Sequence, residues 1–492
     1  MMKRKSIKVA ALLLLATLRL SAQTDNPEKF RPVYHFTPEQ HWMNDPNGMV
    51  YHEGLYHLFY QHNPNSSKWG PMHWGHAVSK DLVDWEHREI ALYPDSLGTI
   101  FSGSAIIDKD NVAGFGKNAM IAFYTSNYET QEDGKRKRFQ TQSLAYSTDN
   151  GRTWAKYANN PVLDNPGIKA FRDPKVIWHE ASKTWIMSIT EGQKIGFYGS
   201  KDLKKWDKLS DFGEGYGAHG GVWECPDLIS MKSGTKDVWV LIVSVNPGGP
   251  NGGSGTQYFL GDFDGTTFKP HDKETRWLDW GTDNYAGVTW SNVGNKHLFI
   301  GWMSNWLYAN AVPTEKWRSA MTTVRDLKIV EVQGKNYLTS FPIAGYQKNL
   351  KAEANRLRST HSLDIKGFNN ALKLSFKGVD LSEDFRVVFE NSIGEALSLH
   401  YSKKSGYFAL NRSEGGLISF HKDFAKKMLA ESPIGDGRCN LDIYLDKTSA
   451  EVFVNEGLVT ITSVFFNEAD FDSVKTSFSI NPGNMNLYRY VK

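Results

Sequence analysis

The sequence predicts an all-β protein, a five-bladed β-propeller followed by a C-terminal β-sandwich, and three observations lead there. From about residue 30 to 340 the chain runs in short apolar or alternating stretches such as "LYHLFY", "AMIAFYTS", "TWIMSIT", "VWVLIVSV" and "KHLFIGWM", punctuated by Gly, Asn, Asp and Pro. Stretches of that length between such punctuators read as strands, and almost nothing in them has a helical period. A weak repeat underlies them: "SKDLVDWEH" at Ser79–His87, "STDNGRTWAKY" at Ser147–Tyr157 and "SKDLKKWDK" at Ser200–Lys208 each place a Ser and an Asp shortly before a Trp. Trp85, Trp154 and Trp206 are 69 and 52 residues apart, the size of a four-stranded unit, and the region holds about five such units. The texture then changes: Trp stops at Trp317, and the rest is alternating β, as where Leu441, Ile443 and Leu445 alternate with Asp442, Tyr444 and Asp446.

Taken in order, the first element is a targeting segment. "MMKRKSIKVAALLLLATLRLSAQ" has a basic start, an apolar run from Val9 to Leu18 and small residues at Ser21 and Ala22. The run is too short to span a bilayer, so residues 1–22 read as a signal peptide, with export to the periplasm or the outside and no Cys for a lipid anchor. That segment carries Lys3, Arg4, Lys5, Lys8 and Arg19, so the formal balance of +3 becomes −2 in the mature chain. A nearly neutral chain gives no electrostatic reason to expect nucleic acid or an anionic membrane as partner. Cys225 and Cys439 are the only cysteines and read as two free thiols, without a disulfide framework.

The propeller is expected over residues 30–345 and the sandwich over 356–492, joined by a charged linker near 346–356. The second domain offers no clustered chemistry. In the first, a carboxylate precedes a Pro by one or two residues at three places: "WMNDPNG" with Asp45, "AFRDPKV" with Asp173 and "GGVWECPDL" with Glu224. Any one Asp-Pro reads as a turn. Three in successive segments, with Trp or Arg beside them, suggest carboxylates converging from the inner strand ends of different blades, since the residue before Pro is pushed toward extended geometry.

The sequence shows no His pair or Cys/His cluster for a transition metal, no acidic Ca²⁺ loop, no Gly-x-Ser-x-Gly elbow and no phosphate loop, so neither metal nor cofactor is expected. Carboxylates among abundant Trp are the equipment of glycoside hydrolysis, one acting as acid and another as nucleophile or base. Glu224, between Trp223 and Cys225, is expected in an apolar setting that keeps it protonated. Asp45, with Asn44, Asn47 and turn amides nearby, is expected to be held ionised as a nucleophile. Asp173, beside Arg172, is expected to stay charged and to hold substrate hydroxyls.

"WMNDPNG", "FRDP" and "WECPDL", in that order, resemble the signature motifs of glycoside hydrolase family 32, the invertase, inulinase and levanase family. "YQHNP", "WGPMHWGHA", "FSGS", "NPGGPNGGSGTQYFLGDFDG", "DWGTDNYA", "GWMSNW" and the late "AEVFVNEG" are similar to it too, so the resemblance spans almost the whole mature chain. It implies the same propeller and sandwich, and a retaining double displacement on terminal β-D-fructofuranosides of sucrose, inulin or levan. Carried over, Asp45 is the nucleophile, Glu224 the acid and base, and Asp173 the stabiliser of the transition state. The resemblance also implies that Asn44, Gln61, Trp69, Phe101, Ser102, Arg172 and Trp306 line the fructose pocket, with Cys225 and Asp227 tuning Glu224 from behind. The partner it implies is a fructose-containing oligo- or polysaccharide. Exo action is expected; an endo-acting fructanase or a fructosyltransferase would use the same residues.

Other readings are weaker. "STDNGRTW" is a sialidase-type Asp box, but a sialidase needs an Arg cluster and a Tyr nucleophile. A non-catalytic sugar-binding propeller would be favoured by loss of one acid, and all three are present. The basic run "DGKRKRF" at Asp133–Phe139 reads as a solvated loop. Trp74 and Trp302 read as buried between blades, and His41, His57, His62, His73 and His76 as core or rim residues.

Overall fold

The computed structural model describes residues 28–132, 135–354, 356–435 and 437–491; the expected signal peptide lies outside them. Among the described residues the fold is all-β apart from a 3-10 turn at Ala344–Asn349. Five antiparallel sheets form the first part. Their innermost strands are His41–His52 in blade I, Thr99–Asp108 in blade II, Phe171–His179 in blade III, Val222–Ser233 in blade IV and Tyr285–Thr289 in blade V. These neighbour one another in chain order, and blade V returns to blade I, closing the ring. A further tie comes from Trp317–Arg318, which follows the inner strands of blade V and pairs in parallel with His41 and Trp42 of blade I.

The Ser-Asp-Trp repeat is the turn from the third to the fourth strand of blades I, II and III. Ser79 Oγ accepts the Leu82 amide at 2.7 Å and Asp81 Oδ1 accepts the amides of Val83 and Asp84. Ser200 and Asp202 repeat this with Leu203, Lys204 and Lys205. Ser147 and Asp149 do so with Gly151 and Thr153. The Trp that follows each turn packs on the preceding blade. Trp85 stacks on Trp290 of blade V at 6.2 Å, Trp154 meets Phe59 of blade I edge-on at 5.5 Å, and Trp206 meets Phe123 of blade II edge-on at 5.7 Å. The repeat is therefore an inter-blade wedge, and Trp74 and Trp302 are likewise fully buried.

The second part is two sheets, of six and seven strands, enclosing one apolar core. The segment expected as a linker contributes Leu350–Ala352 to the six-stranded sheet, paired with Met485–Tyr490. In Arg438–Asp446 the alternating Leu441, Ile443 and Leu445 face that core. The other face is also covered: Tyr444, Asp446, Glu451 and Phe453 are buried against the propeller, Phe453 meeting Phe341 edge-on at 5.4 Å.

A chain of buried charges crosses this contact. His35 bonds to Asp446 at 2.8 Å and to Glu451 at 2.6 Å, and Arg325 bonds to Glu451 at 2.5 Å and to Asp279 at 3.0 Å. Nearby, Arg412 of the sandwich reaches Asp283 of the propeller at 2.6 Å. Backbone amides of Val33, Tyr34, Thr323 and Thr462 and the Thr462 hydroxyl complete these carboxylates' shells.

Candidate active site

Each inner strand breaks its register at the same height, with two of its residues facing one on the neighbouring strand, and blade I breaks a second time between Asn47 and Val50. The pairs are Asn44 and Asp45, Phe101 and Ser102, Asp173 and Pro174, Cys225 and Pro226, and Ala286 and Gly287. A bulge leaves the extra residue out of the ladder and re-aims its side chain, and it tolerates the Pro that a regular central strand excludes. Asp173, Cys225 and Ala286 accordingly have φ of 65°, 47° and 53°, a region costly for residues with a Cβ. The expectation that Asp45 and Asp173 sit at strand ends is thus corrected: they lie inside strands that continue through the bulge.

The ring of bulges surrounds a cavity of about 200 Å³. Asp45, Asp173 and Glu224 line it together with Asn44, Gln61, Trp69, Phe101, Ser102, Arg172 and Trp306. Asp45 accepts hydrogen bonds from Asn44 Nδ2 at 2.9 Å and Ser102 Oγ at 2.6 Å. Asn44 is itself fixed by Trp42 Nε1 at 2.7 Å, and the Trp42 ring stacks on Trp306 at 5.9 Å. Asp173 accepts the Cys225 amide at 3.1 Å, while its own amide donates to Thr125 Oγ1. Arg172 approaches Glu224 Oε1 at 2.8 and 3.1 Å and lies 3.9 Å from Asp173.

Three expectations about these groups change. Glu224 is not in an apolar pocket: strand alternation turns Trp223 to the opposite face, where its indole donates to Ala218, and leaves Glu224 with Arg172 and a short hydrogen bond from the Tyr285 hydroxyl. The Asp45 pKa is shifted up, not down: burial raises it, Glu224 adds to this, and its hydrogen bonds only partly oppose it. Asp173 is pushed up to about 7, by burial first, against the pull of Arg172 and with the charges of Glu224 and Asp45 reinforcing the rise.

Cys225 and Asp227 are placed differently from each other. The Cys225 thiol lies 3.6 Å from Asp45 and 3.7 Å from Asp173, so it touches those acids. Asp227, beyond the bulge, bonds to Lys175 at 3.1 Å and to the amide and hydroxyl of Thr289, with no bond to Glu224. Two residues went unassigned in the sequence. Tyr285 sits inside the quoted "DWGTDNYA" without a role. Arg138, from the run expected to be a solvated loop, lines the cavity, pairs with Glu129 at 2.6 Å and lies 5.8 Å from the Phe101 ring centre. It sits two strands away from the inner ring, on the third strand of blade II, and the pairing of Lys135–Ser147 with Ala119–Glu132 brings it to the mouth.

A propeller carrying opposed carboxyls and indoles around one small cavity defines a glycoside hydrolase. The chain belongs to glycosyl hydrolases family 32: the family's N-terminal domain matches residues 35–342 and its C-terminal domain residues 344–487. It is 44% identical to the levanase of Bacillus subtilis over 94% of this chain and 71% of that protein. It is 38% identical to the extracellular exo-inulinase of Aspergillus awamori over 94% of both chains. The crystal structure of exo-inulinase from that organism superposes with a TM-score of 0.86 at 35% identity, covering 95% of this chain and 99% of the other. The fructofuranosidase of Schwanniomyces occidentalis complexed with fructose gives 0.83 at 32% identity, over 95% and 100%.

Proposed function

We propose that this chain is an exported retaining hydrolase that removes terminal β-D-fructofuranosyl residues from sucrose or from inulin- or levan-type fructans, releasing fructose from the chain end. The observation that carries this reading is the convergence of Asp45, Asp173 and Glu224 from three blades on one cavity of about 200 Å³, in a chain whose relatives are named levanase and exo-inulinase. Export is supported by the extracellular relatives, and among the described residues no helix is long and apolar enough to cross a membrane. We take the catalytic domain as about residues 30–345 and the sandwich as 356–492 with Leu350–Ala352 added to it as an edge strand.

In this reading an Asp45 oxygen attacks the anomeric carbon while Glu224 donates a proton to the departing glycosidic oxygen, giving a fructosyl-enzyme. Glu224 then takes a proton from water, whose oxygen displaces Asp45 and restores both carboxyls. Ser102 and Asn44 aim Asp45, and Arg172 and Tyr285 fix the rotamer of Glu224. Asp173 accepts hydrogen bonds from fructose hydroxyls, strengthened as the ring flattens toward an oxocarbenium ion.

The test is product analysis on sucrose, inulin and levan. Free fructose from the start supports exo action; a ladder of oligosaccharides without early fructose overturns it, and fructose appearing on acceptors in place of water identifies a transferase.

A further inference from the structure

The inner strands have a second end. Past the bulges they open on the opposite face of the propeller into a cavity of about 600 Å³, three times that of the catalytic one. One wall holds Trp178, Trp185 and Trp239, the first two 5.2 Å apart on paired strands. Trp178 is 41% exposed, unusual for an indole in a chain that buries most of them. The backs of Trp185 and Trp239 rest on core clusters, and the Trp185 indole N–H is buried without an acceptor. The facing wall, from blades II and V, carries Lys109, Asp110, Asn292 and Lys296, all exposed.

The two mouths do not communicate. Between them Lys175 of blade III bonds to Asp227 of blade IV and to the Thr289 carbonyl of blade V at 2.7 Å, a cross-brace over the channel. The chamber above it has a volume of only about 10 Å³, about one water. A ligand in the far cavity therefore cannot be one on its way to Asp45.

We propose that this cavity is a second, non-catalytic carbohydrate site that takes an internal stretch of the same polysaccharide, two or three linked sugar residues. An indole wall matches the C–H face of a sugar ring, and mixed donors and acceptors opposite match its hydroxyls. The sugar identity rests on the fructan reading above; the existence of the site does not. Held there, a polymer stays near the enzyme between cuts, a bivalent attachment that a disaccharide cannot make.

Trp178→Ala removes the most exposed ring, and Lys296→Ala, on the facing wall, guards against a folding artefact. Both are compared with the unaltered enzyme for kinetics on sucrose and on inulin or levan, and for retardation in native gels cast with the polymer. The expected result is a sucrose kcat/KM unchanged within about two-fold, a polymer KM raised at least about five-fold, and weakened retardation. In an Asp45→Ala background retardation persists, and adding Trp178→Ala reduces it. Retardation absent from the unaltered enzyme, or undiminished in both the Trp178 and the Lys296 variant, overturns the site. Failure of the enzyme to release fructose from sucrose overturns the proposed function instead.

Discussion

The protein buries carboxylates in two places and treats them oppositely. At the contact of propeller and sandwich, Asp446 and Glu451 are taken wholly out of water, yet their pKa values are lowered: burial pushes them up, and His35, Arg325 and backbone amides more than reverse it. In the catalytic cavity Asp173 is buried and Asp45 partly so, and their pKa values are raised, by desolvation first and then by the neighbouring carboxylates, which Arg172 does not outweigh at Asp173. The difference lies in compensation. A fully partnered charge network joins two domains, whereas an underpartnered one stores readiness to bind or pass a proton.

Breaking each region in turn sharpens this contrast. The largest effect is expected from Asp45→Ala, which removes the proposed nucleophile: turnover of sucrose falls by at least about four orders of magnitude while the circular dichroism spectrum and melting temperature stay near those of the unaltered protein. Next is Arg325→Ala, which leaves Glu451 and Asp279 buried without their shared cation. That variant loses about 3–5 kcal/mol of stability by denaturant unfolding, with the domains separating first.

Asp173→Asn moves stability the other way. Unfolded, this carboxyl releases its proton near pH 4; folded, it does so at about 7. Folding therefore takes up a proton in that window, and stability falls as pH rises through it. The Asn variant lacks this liability while keeping an oxygen for the Cys225 amide, so its melting temperature relative to wild type rises from pH 4 to pH 8, by an equivalent of order 2 kcal/mol, as activity collapses. His35 gives the opposite sign. Burial lowers its pKa, but Asp446 and Glu451 outweigh this and lift it to about 9. Its contribution is complete below the unfolded value near 6.5 and is gone once pH has risen through about 9, so a drop in melting temperature between about pH 6.5 and 9 should vanish in His35→Gln. The smallest effect is expected from Tyr285→Phe, which frees one oxygen of Glu224 and lowers kcat by about ten-fold with little change in stability.

Much of the catalytic region was legible because each acid-Pro pair marks an inner-strand bulge, and a Pro is admitted in a central strand where the ladder is already broken. Blades II and V carry the same bulge without the signal: Phe101-Ser102 and Ala286-Gly287 hold no acid and no Pro, so Tyr285 had no role before the ring was assembled. Arg138 was hidden by its neighbours in a basic run, and its position depends on a long hairpin folding over the mouth. The environment of Glu224 was misread because adjacency in sequence is opposition in a strand: Trp223 points away from it, to Ala218, while the bulge turns the Cys225 thiol to Asp45 and Asp173. At the domain contact, the alternation in Arg438–Asp446 carried no sign of the propeller packed on its second face, since alternation reports that two faces differ and not what covers the second.

The central claim is that Asp45, among the three clustered acids, carries the sugar. Glu224→Gln, reacted with an aryl β-fructofuranoside whose leaving group needs no acid, should stall after the first displacement for want of a base. Intact mass and peptide mapping of the quenched protein should then show one hexosyl adduct on the peptide containing Asp45. An adduct on the Asp173 peptide, or fructose released with inverted anomeric configuration and no adduct, would contradict the account.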